Sequence, residues 1–370
     1  MKILHVTGLR STKFGAVERF ICALASSSND TYIIASNCPP LSELAKKNFD
    51  EAGCAFETLD IQSSHGFKSI IPFIRLLRKY RPDIVHFHFT QSFALLAPVA
   101  KMMGVKKIYK TEHSCLEYNA IQAHKLSDLS LAFRVMSYGG WAYRFLTADL
   151  AVSDYVDRQL KKVLGAKVNS QRIYIGVEEP KPNIDRAEMR QQLGIRDDEI
   201  LAASIMFASP IKGCDILLRA FAETLKHESK YRLIIIGLNE NSAYTKQMKA
   251  YSDELGISDS VIWTGITDNV SKYLAASDVF VQPSRTEALS LAAVEAAAMR
   301  LPVIGSNVGG LPEVSTEIFE VGDCKGLSQL LVANATLDHR NKMGCLARQR
   351  YEQNFKLEKG VSAYKAIYHS

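Results

Sequence analysis

The sequence lacks the marks of several large protein classes. Its longest uncharged stretch, residues 84–100, contains two His, a Thr and a Gln, so no membrane-spanning helix is expected. Gly and Pro together are too few for a collagen-like or low-complexity chain. The seven Cys are scattered and never form a Cys-x-x-Cys pair. We therefore predict reduced thiols in a cytoplasmic protein, without a disulfide framework or a zinc site.

Two ligand-binding patterns are also missing. The residues after the first predicted strand, Gly8–Gly15, do not contain Gly-x-Gly-x-x-Gly, which argues against a Rossmann dinucleotide site. His86 and His88 alternate along a predicted strand and therefore share a face. No third ligand with fixed spacing accompanies them, so no metal site is predicted.

Positive charge is concentrated in the first half. Residues 1–176 carry 23 Lys and Arg against 14 Asp and Glu, whereas residues 177–370 carry 22 against 25. This asymmetry predicts an anionic partner for the first half, namely nucleic acid, a phosphorylated substrate or a membrane surface. The segment 68–81 has five cations, no acids and apolar residues at helical spacing. It favours attachment to an anionic membrane surface, the alternative being a packed helix with a solvated basic face.

Short β-branched runs alternate with helical patterns almost throughout, as in parallel sheets whose strands are buried on both faces. Two successive α/β domains are predicted, at 1–176 and 187–352, joined by a Pro-containing linker at 177–186 and followed by a helix at 353–370. The predicted strands are Lys2–Thr7, Thr31–Ala35, Phe56–Leu59, Ile84–Phe89, Lys107–Lys110, Leu150–Ser153, Arg172–Ile175, Ile200–Met206, Arg232–Ile236, Val261–Thr264, Val279–Gln282 and Pro302–Ile304.

The most informative segment is Asp278–Gly305, whose pattern is a strand, a polar loop, an Ala-rich helix and another strand. The helix is expected to begin near residues 288–290, where its free N–H groups would form an anion site. Glu287 and Glu295 are eight residues apart, about two helical turns, and can face one crevice. The alternative is a Glu that favours the helix dipole and a second, solvated Glu.

This segment resembles the family 4 retaining glycosyltransferases of the GT-B fold, in which Glu-x7-Glu is followed by a small-residue helix and a Leu-Pro-Val-Ile strand. Further matches follow in chain order over nearly the whole sequence. They are Gly15–Arg19, Arg81–His88, Thr111–His113, Ala148–Asp149, Ser153, Lys212–Gly213 and Val308–Glu313.

The resemblance implies an α/β GT-B architecture, with two Rossmann-like domains facing each other across a cleft. Residues 1–176 would bind the acceptor and residues 187–352 the nucleotide sugar, while the helix at 353–370 would pack back on the first domain. The implied catalytic residues are Glu287 on the transferred sugar, Lys212 on the diphosphate and His113 on the acceptor side. The implied donor-binding residues are Gly15, Leu289, Ser290, Leu291 and Glu295.

The sequence departs from the family pattern at three places. The usual Glu-Gly-Phe-Gly-Leu is Glu-Ala-Leu-Ser-Leu at 287–291, and Ile175 replaces a usual Asn. Phe207 stands where the family has an Arg, five residues before the diphosphate lysine. We expect Arg10 and Lys13, in the first glycine loop, to supply supplementary diphosphate contacts.

The implied function is transfer of a hexosyl or N-acetylhexosaminyl group from a nucleotide diphosphate, a UDP-sugar being favoured, to a lipid-linked or polysaccharide acceptor in cell-surface glycan synthesis. No metal, no cofactor and no nucleic acid partner are implied, and no Asp-x-Asp supports a metal-dependent GT-A enzyme. The expected location is cytoplasmic, peripheral on the inner face of the cell membrane. Two alternatives remain: a nucleotide-sugar epimerase, and a non-catalytic GT-B partner in a glycan assembly complex, which Phe207 favours.

Overall fold

A computed structural model describes residues 1–8, 14–36, 43–61, 68–90, 92–115, 141–165 and 168–370. The chain divides into two compact units. The first unit comprises residues 1–176 together with 357–370, and the second comprises residues 177–356. Each unit is a parallel sheet with helices, so the predicted pair of Rossmann-like α/β domains is confirmed.

The first unit is built on a seven-stranded parallel sheet in the order β3-β2-β1-β4-β5-β6-β7. Its central strands are apolar runs buried on both faces, as predicted for a sheet covered by helices. The strands are β1 Lys2–Thr7, β2 Thr31–Ser36, β3 Ala55–Thr58, β4 Ile84–His88, β5 Lys107–Glu112, β6 Ala148–Ala151 and β7 Ser170–Arg172.

The described helices of this unit are amphipathic elements that cover the sheet. In the first of them Val17, Phe20, Ile21 and Leu24 are buried, which is the i, i+3, i+4, i+7 pattern of a packed face. The helices are α1 Ala16–Ser26, α2 Glu43–Glu51, α3 Ile70–Tyr80, α4 Phe93–Met102 and α5 Asp154–Leu164, together with α13 Leu357–His369 from the end of the sequence.

The basic segment forms helix α3. It buries Phe73, Leu76 and Leu77 against the unit and leaves Arg75 and its other basic residues exposed. This arrangement fits both interpretations of the segment, so membrane attachment stays a prediction. Among the described residues, no helix combines the length and the apolar content needed to cross a bilayer.

The second unit contains a six-stranded parallel sheet in the order β10-β9-β8-β11-β12-β13. Its last strand was not predicted from the sequence, because it is a three-residue edge strand with only two apolar residues. The strands are β8 Ile200–Ile205, β9 Tyr231–Ile236, β10 Val261–Trp263, β11 Val279–Gln282, β12 Val303–Ser306 and β13 Glu317–Phe319. The helices are α6 Arg186–Gln192, α7 Cys214–Leu225, α8 Ala243–Glu254, α9 Ser271–Ala276, α10 Leu291–Ala298, α11 Cys324–Ala333 and α12 Leu337–Arg350.

The boundaries of the second unit differ from the predicted linker and final helix. Val177 forms a β-bridge with Lys356 and accepts a hydrogen bond of 3.0 Å from the Tyr351 hydroxyl. Asp185 caps helix α6 by accepting from the N–H groups of its first turn. Residues 177–186 are therefore tied into the second unit by hydrogen bonds, which Pro content and lack of periodicity do not reveal. Residues 353–356 also lie in this unit.

Helix α13 completes the core of the first unit. Tyr364 and Tyr368 are fully buried, and the ring of Tyr364 packs edge-on against Phe20 of helix α1, with 4.8 Å between ring centroids. The hydroxyl of Tyr368 shares a 2.6 Å hydrogen bond with Nδ1 of His86 on β4. Residues 357–370 thus supply both apolar surface and hydrogen bonds to a core whose other members come from residues 1–176.

Candidate active site

The carboxyl ends of three neighbouring strands in the second sheet bring the predicted donor-site residues together. Strands β8, β11 and β12 are adjacent, and ligands of open α/β sheets bind at the carboxyl ends of the strands. The segment after β8 carries Lys212, and the loop between β11 and helix α10 carries Glu287. The loop after β12 carries Gly309. The sequence order separates these residues, and the parallel topology places them at one edge.

Lys212 and Glu287 form a direct ion pair at this edge. The Nζ of Lys212 lies 2.7 Å from Oε2 of Glu287, and the side chains are 16% and 13% exposed. The hydroxyl of Ser284 donates to the same carboxylate oxygen over 3.2 Å. The pair is therefore sheltered yet accessible to a ligand, which suits a cation that exchanges one anionic partner for another.

Two glycines allow the loops around this pair to approach closely. Gly213 has φ +69°, and a Cβ built on it would lie 2.0 Å from the carbonyl oxygen of Pro283. Gly309 has φ +58°, and its Cβ would lie 1.5 Å from the carbonyl oxygen of Glu287. That same oxygen accepts a 3.0 Å hydrogen bond from the N–H of Gly310. Both positions require glycine, because the backbone is left-handed and there is no room for a side chain.

An Arg–Asp pair outside the predicted set joins the two loops. The guanidinium of Arg285 contacts both carboxylate oxygens of Asp215 at 2.8 and 2.7 Å, and the N–H of Arg285 donates to the carbonyl of Ile211. Burial raises the pKa of Asp215, but hydrogen bonding and charge attraction from Arg285 outweigh it and leave the pKa below its usual range. The bidentate pair fixes the Glu287 loop to the Lys212 segment. The two residues are 70 apart in sequence, and no motif marks them.

A buried polar network supports Glu287 from beneath. Gln282 donates to the hydroxyl of Ser284 over 2.9 Å, and Ser306 donates to the carbonyl of Ser284 over 2.6 Å. Ser284 in turn donates to Glu287. Because these groups are buried and hydrogen-bonded to each other, they hold the carboxylate in one orientation. The sequence signal was the polar stretch directly after an apolar strand.

Helix α10 begins with a Ser cap at this edge. Ser290 is the N-cap, and its hydroxyl accepts from the N–H of Ala293 over 3.3 Å. The first-turn N–H groups have no acceptor within the helix. Leu289 and Ser290 are buried and Leu291 is half-buried. The helix terminus therefore lies beside Glu287, where the sequence placed an anion site.

The spacing argument for the two glutamates was wrong in one respect. Helix α10 starts at Leu291, so Glu295 lies on the helix while Glu287 lies in the preceding loop. Two helical turns therefore do not describe their separation. The position of Glu287 is set by Gly309, Gly310 and Ser284, not by helical periodicity.

Phe207, which replaces the family Arg, lies beside the lysine of the ion pair. The Nζ of Lys212 is 5.1 Å from the centroid of the Phe207 ring, and the ring is 57% exposed. A cation over an aromatic face is attracted by about 0.5–1 kcal/mol at exposed sites. The ring thus holds Lys212 but adds no positive charge to the site.

The remaining predicted residues belong to the first unit. Gly15 caps helix α1, and its N–H donates to the side chain of Glu18 over 3.1 Å, so this N–H is already engaged. His113 directly follows β5 and is half-buried. Arg10 and Lys13 lie outside the described residues. The structure thus groups Lys212, Glu287, Leu289, Ser290, Leu291 and Glu295 in one unit, and Gly15 and His113 in the other.

The first unit contains a histidine cluster that the sequence prediction left incomplete. His5 on β1 joins His86 and His88 on β4, and ligand atoms of the three rings all lie within 4.8 Å of one another. The strands pair in register with His5 opposite His86. The missing third histidine was therefore 81 residues away, and its signal was an isolated His within an apolar strand.

Within the described residues, hydrogen bonds engage every ring nitrogen of these three histidines except Nε2 of His5. Nδ1 of His86 shares a bond with Tyr368, and its Nε2 shares a 2.8 Å bond with the hydroxyl of Thr111. His88 bridges the other two rings, His5 and His113. A metal would have to displace these contacts, and the expectation that none binds stays a prediction.

Burial keeps the imidazoles neutral. It lowers the pKa of His5 to about 3 and that of His86 and His88 well below the usual value. The pKa of His113 is also lowered to about 3, first by burial and then by the nearby charge of Lys110. Each ring therefore carries one proton at neutral pH.

A buried lysine with two acids lies beside the histidines. Lys110 contacts Glu112, and its Nζ lies 3.8 Å from Asp149 and 3.3 Å from the Tyr143 hydroxyl. Burial raises the pKa of Asp149 to about 7, although Lys110 acts in the opposite direction. The first unit thus buries a cluster of titratable groups beside its histidines.

Two family models match the chain in succession. "Glycosyltransferase Family 4" matches residues 16–179, and "Glycosyl transferases group 1" matches residues 185–328. The chain is 30% identical over 298 residues to N-acetyl-alpha-D-glucosaminyl L-malate synthase of Bacillus anthracis, covering 78% of this chain and 74% of that protein. It is 23% identical to a GDP-mannose-dependent monoacylated alpha-(1-6)-phosphatidylinositol monomannoside mannosyltransferase of Corynebacterium glutamicum, over 96% and 95% of the two chains.

Solved structures share the fold. HepE from Anabaena in complex with UDP and glucose superposes with a TM-score of 0.81 at 19% identity, covering all of both chains. WaaG, a glycosyltransferase involved in lipopolysaccharide biosynthesis, gives a TM-score of 0.72 at 16% identity, over 99% of both chains. Both family models, a relative 30% identical over most of both sequences, and two parallel-sheet units agree: the chain belongs to glycosyltransferase family 4 and is a glycosyltransferase of the GT-B fold.

Proposed function

We propose that this glycosyltransferase transfers a hexosyl or N-acetylhexosaminyl group from a UDP-sugar to a lipid-linked or polysaccharide acceptor, with retention of the anomeric configuration. The observation that carries the proposal is the Lys212–Glu287 ion pair beside the first turn of helix α10. A cation, a carboxylate and helix N–H groups at one sheet edge match the charges and hydroxyls of a sugar diphosphate.

In this proposal the second unit binds the donor. The diphosphate takes Lys212 as its counter-ion and accepts hydrogen bonds from the N–H groups of Leu289, Ser290 and Leu291. Glu287 accepts hydrogen bonds from hydroxyls of the sugar, and Glu295 from hydroxyls of the ribose. When the bond between the anomeric carbon and the phosphate oxygen breaks, negative charge grows on the leaving diphosphate. Lys212 stabilises that charge, and this is the main catalytic effect.

Lys212 must change partners for this to happen. In the structure its Nζ contacts Glu287 at 2.7 Å, and bound diphosphate competes with that carboxylate for the same ammonium group. The Glu287 carboxylate therefore weakens diphosphate binding while it serves the sugar. We expect Glu287→Gln to bind UDP more tightly and to turn over more slowly.

No metal is required in this scheme, because Lys212 is a fixed cation at the diphosphate. Phe207 removes the second cation that the family has here, and Arg10 and Lys13 are proposed to compensate. Arg10→Ala or Lys13→Ala should then slow turnover at least about tenfold, the value of one charge-assisted contact. Turnover that persists in EDTA supports the metal-free scheme, and its complete loss with rescue by one metal ion contradicts it.

The first unit is proposed to hold the acceptor, with His113 contacting it. One named relative supports a lipid-linked acceptor, since the Corynebacterium protein is a phosphatidylinositol monomannoside mannosyltransferase, whereas the Bacillus anthracis protein is named for L-malate. HepE, which superposes over its whole length, has been solved with UDP and glucose. The Corynebacterium protein is named as GDP-mannose-dependent, whereas HepE was solved with UDP. Measurement of binding decides between UDP- and GDP-sugars for this protein.

A peripheral location at the cytoplasmic face of the membrane goes with a lipid-linked acceptor. The exposed basic residues of helix α3, Arg75, Arg78 and Lys79, would contact anionic lipid. Co-sedimentation with anionic vesicles that fades with salt supports this location. Absence of binding to anionic vesicles at low salt contradicts it.

Thermal unfolding with UDP- and GDP-sugars, followed by an assay of nucleotide release with and without acceptor, tests the proposal. A donor that binds the folded state raises the melting temperature. Glu295→Ala should weaken nucleotide binding about tenfold or more, whereas Glu287→Ala should mainly reduce turnover. Glu254→Ala is a matched control, because that glutamate is exposed in the same unit at the far end of helix α8. Parental transfer rates in both Glu287→Ala and Glu295→Ala would show that the donor site lies elsewhere.

A further inference from the structure

Three histidines on neighbouring strands form a continuous chain of hydrogen bonds in the first unit. Nδ1 of His5 lies 3.0 Å from Nε2 of His88, and Nδ1 of His88 lies 3.1 Å from Nε2 of His113. The rings come from β1, from β4 and from the residue after β5, and these strands are adjacent. These hydrogen bonds lead from the buried interior to His113, the residue that the family resemblance places at the acceptor.

The direction in which these hydrogen bonds run follows from the His5 end, which is buried. Each neutral imidazole carries one N–H and one lone pair, so the three rings must all be protonated at Nδ1 or all at Nε2. Within the part of the chain that the structure describes, the buried Nε2 of His5 has no hydrogen-bond partner. An orphaned buried N–H is rarer than an under-satisfied acceptor. This end therefore carries the lone pair, and the proton of His5 is on Nδ1.

The remaining protons are then determined. His5 donates from Nδ1 to Nε2 of His88, and His88 donates from Nδ1 to Nε2 of His113. Because Nε2 of His113 accepts a hydrogen bond, the single proton of this ring is on Nδ1. His113 consequently offers an N–H donor from Nδ1.

A second contact holds the plane of the His113 ring. Phe89 stacks on it with 3.9 Å between centroids and 11° between planes. Phe89 adopts φ +49°, a left-handed conformation that bulky residues rarely take. Strain of this kind persists where surrounding structure imposes it, often at functional sites. The ring is thus held on its face by Phe89 and on its edge by His88.

We propose that His88 is a positioning residue, which together with His5 fixes His113 as the Nδ1–H tautomer and so sets the hydrogen-bond donor that His113 presents to a substrate oxygen. The contact with substrate rests on the proposed function, whereas the tautomer does not. His113 in this state donates a hydrogen bond from Nδ1 and does not accept a proton there.

The tautomer can be observed directly in the parental protein. Long-range ¹H–¹⁵N correlation spectra of the ¹⁵N-histidine-labelled chain distinguish Nδ1–H from Nε2–H rings, and single-histidine variants assign the signals. We expect His5, His88 and His113 all to show the Nδ1–H pattern at pH 7. An Nε2–H pattern for His113 overturns the proposal whether or not any variant folds.

Variants then test the positioning role. His88→Leu should remove the Nδ1–H pattern of His113 and lower kcat about tenfold, with little change in the KM for the nucleotide sugar, because the donor site lies in the other unit. His88→Asn, whose amide can donate near the position of Nδ1, should restore part of both. His86→Leu is the matched control: it is an equally buried histidine on the same strand, and it should leave the His113 pattern unchanged.

The outcomes separate the two proposals. Parental kcat in folded His88→Leu overturns the positioning role. Parental turnover in His113→Ala, together with an Nδ1–H spectrum in the parental protein, upholds the tautomer and instead removes His113 from the proposed acceptor contact.

Discussion

The two sheets present opposite kinds of polarity at their carboxyl ends. The first has buried imidazoles that are neutral and hydrogen-bonded to one another. The second has the Lys212–Glu287 pair, which is charged and partly exposed. Both edges end parallel strands of the same general topology. The difference shows that one architecture can place either neutral hydrogen-bonding rings or a partly exposed ion pair at the carboxyl ends of its strands.

The free-energy cost of burying a charge explains the contrast between the two edges. A buried charge must be paired, while a buried neutral imidazole needs only hydrogen-bond partners. Histidines of the first edge can therefore sit inside the core and align one another. In the proposed function, Lys212 at the second edge exchanges the Glu287 carboxylate for a diphosphate, so this lysine needs access to solvent and ligand.

The largest effect should come from removing the charge of the second edge. Lys212→Ala should lower turnover at least about 100-fold, since loss of one preorganised group that stabilises transition-state charge has effects of this size. Lys226→Ala is the control, because that lysine is exposed in the same unit and pairs with Glu223, three residues before it. Nucleotide release rates measure the effect. Near-parental turnover in Lys212→Ala would refute the role of the second edge in catalysis.

The second-largest effect should come from backbone crowding at Gly309. Gly309→Ala brings a Cβ into the carbonyl of Glu287, whereas Gly256→Ala meets nothing within 4 Å although Gly256 also has positive φ, +67°. The control should cost about 1 kcal/mol of unfolding free energy, and Gly309→Ala at least about 3 kcal/mol, because a loop must move as well. Denaturant unfolding compares them. Equal losses would mean that the close approach is unimportant.

Acid should weaken the first unit through its histidines. Their folded pKa values lie below 6.5, so between pH 6.5 and about 3 the unfolded chain binds protons that the folded chain does not, and the free energy of unfolding falls as pH falls. Asp149 opposes this between about 7 and 3.8, because its folded pKa is raised. Burial also raises the pKa of Glu18, which acts in the same direction as Asp149. Four histidines outweigh these two acids.

His5→Phe isolates one contribution to this acid sensitivity. The variant should reduce the slope of unfolding free energy against pH by about one proton, or about 1.4 kcal/mol per pH unit, over that range. Unfolding titrations at several pH values measure the slope. A slope identical to that of the parental protein would show that the His5 ring is protonated in the folded state.

The smallest effect concerns Phe207. Phe207→Arg adds a second cation beside Lys212 and should tighten UDP binding about threefold to tenfold, less than a buried charge-assisted contact contributes, because water screens charges at this exposed position. Phe207→Leu, which removes the ring without adding charge, is the control. Calorimetric titration with UDP measures both. Weaker binding in Phe207→Arg than in Phe207→Leu would contradict the proposed diphosphate position.

Local pattern was enough to predict most of the sheet. Apolar runs such as Ile84–Phe89 and Val279–Gln282 identified strands, because buried parallel strands are continuous and apolar. The edge strand Glu317–Phe319 was missed, since it is short and half polar. The segment 177–186 was taken for a linker, because its pairing partner Lys356 is far away in sequence.

The sequence indicated which residues would meet at the candidate site, but not which of them contact each other. The resemblance to family 4 indicated Lys212 and Glu287 separately, while their ion pair depends on strand order across 75 residues. His5 stands alone in an apolar strand, and its partners could not be predicted, because the residues on β4 and after β5 become its neighbours only through sheet register. Such long-range pairings follow from topology, which composition and periodicity do not encode.

The place of helix α13 in the first unit has a consequence for the order of folding during synthesis. Domains generally fold as units while the chain emerges. The second unit, residues 177–356, is complete before residues 357–370 are made, yet Tyr364 and Tyr368 are needed to fill the first core and to satisfy His86. The ribosome therefore makes the sheet of the first unit first, yet this unit completes its folding last. Until helix α13 packs, the histidines of the first sheet lack part of their cover.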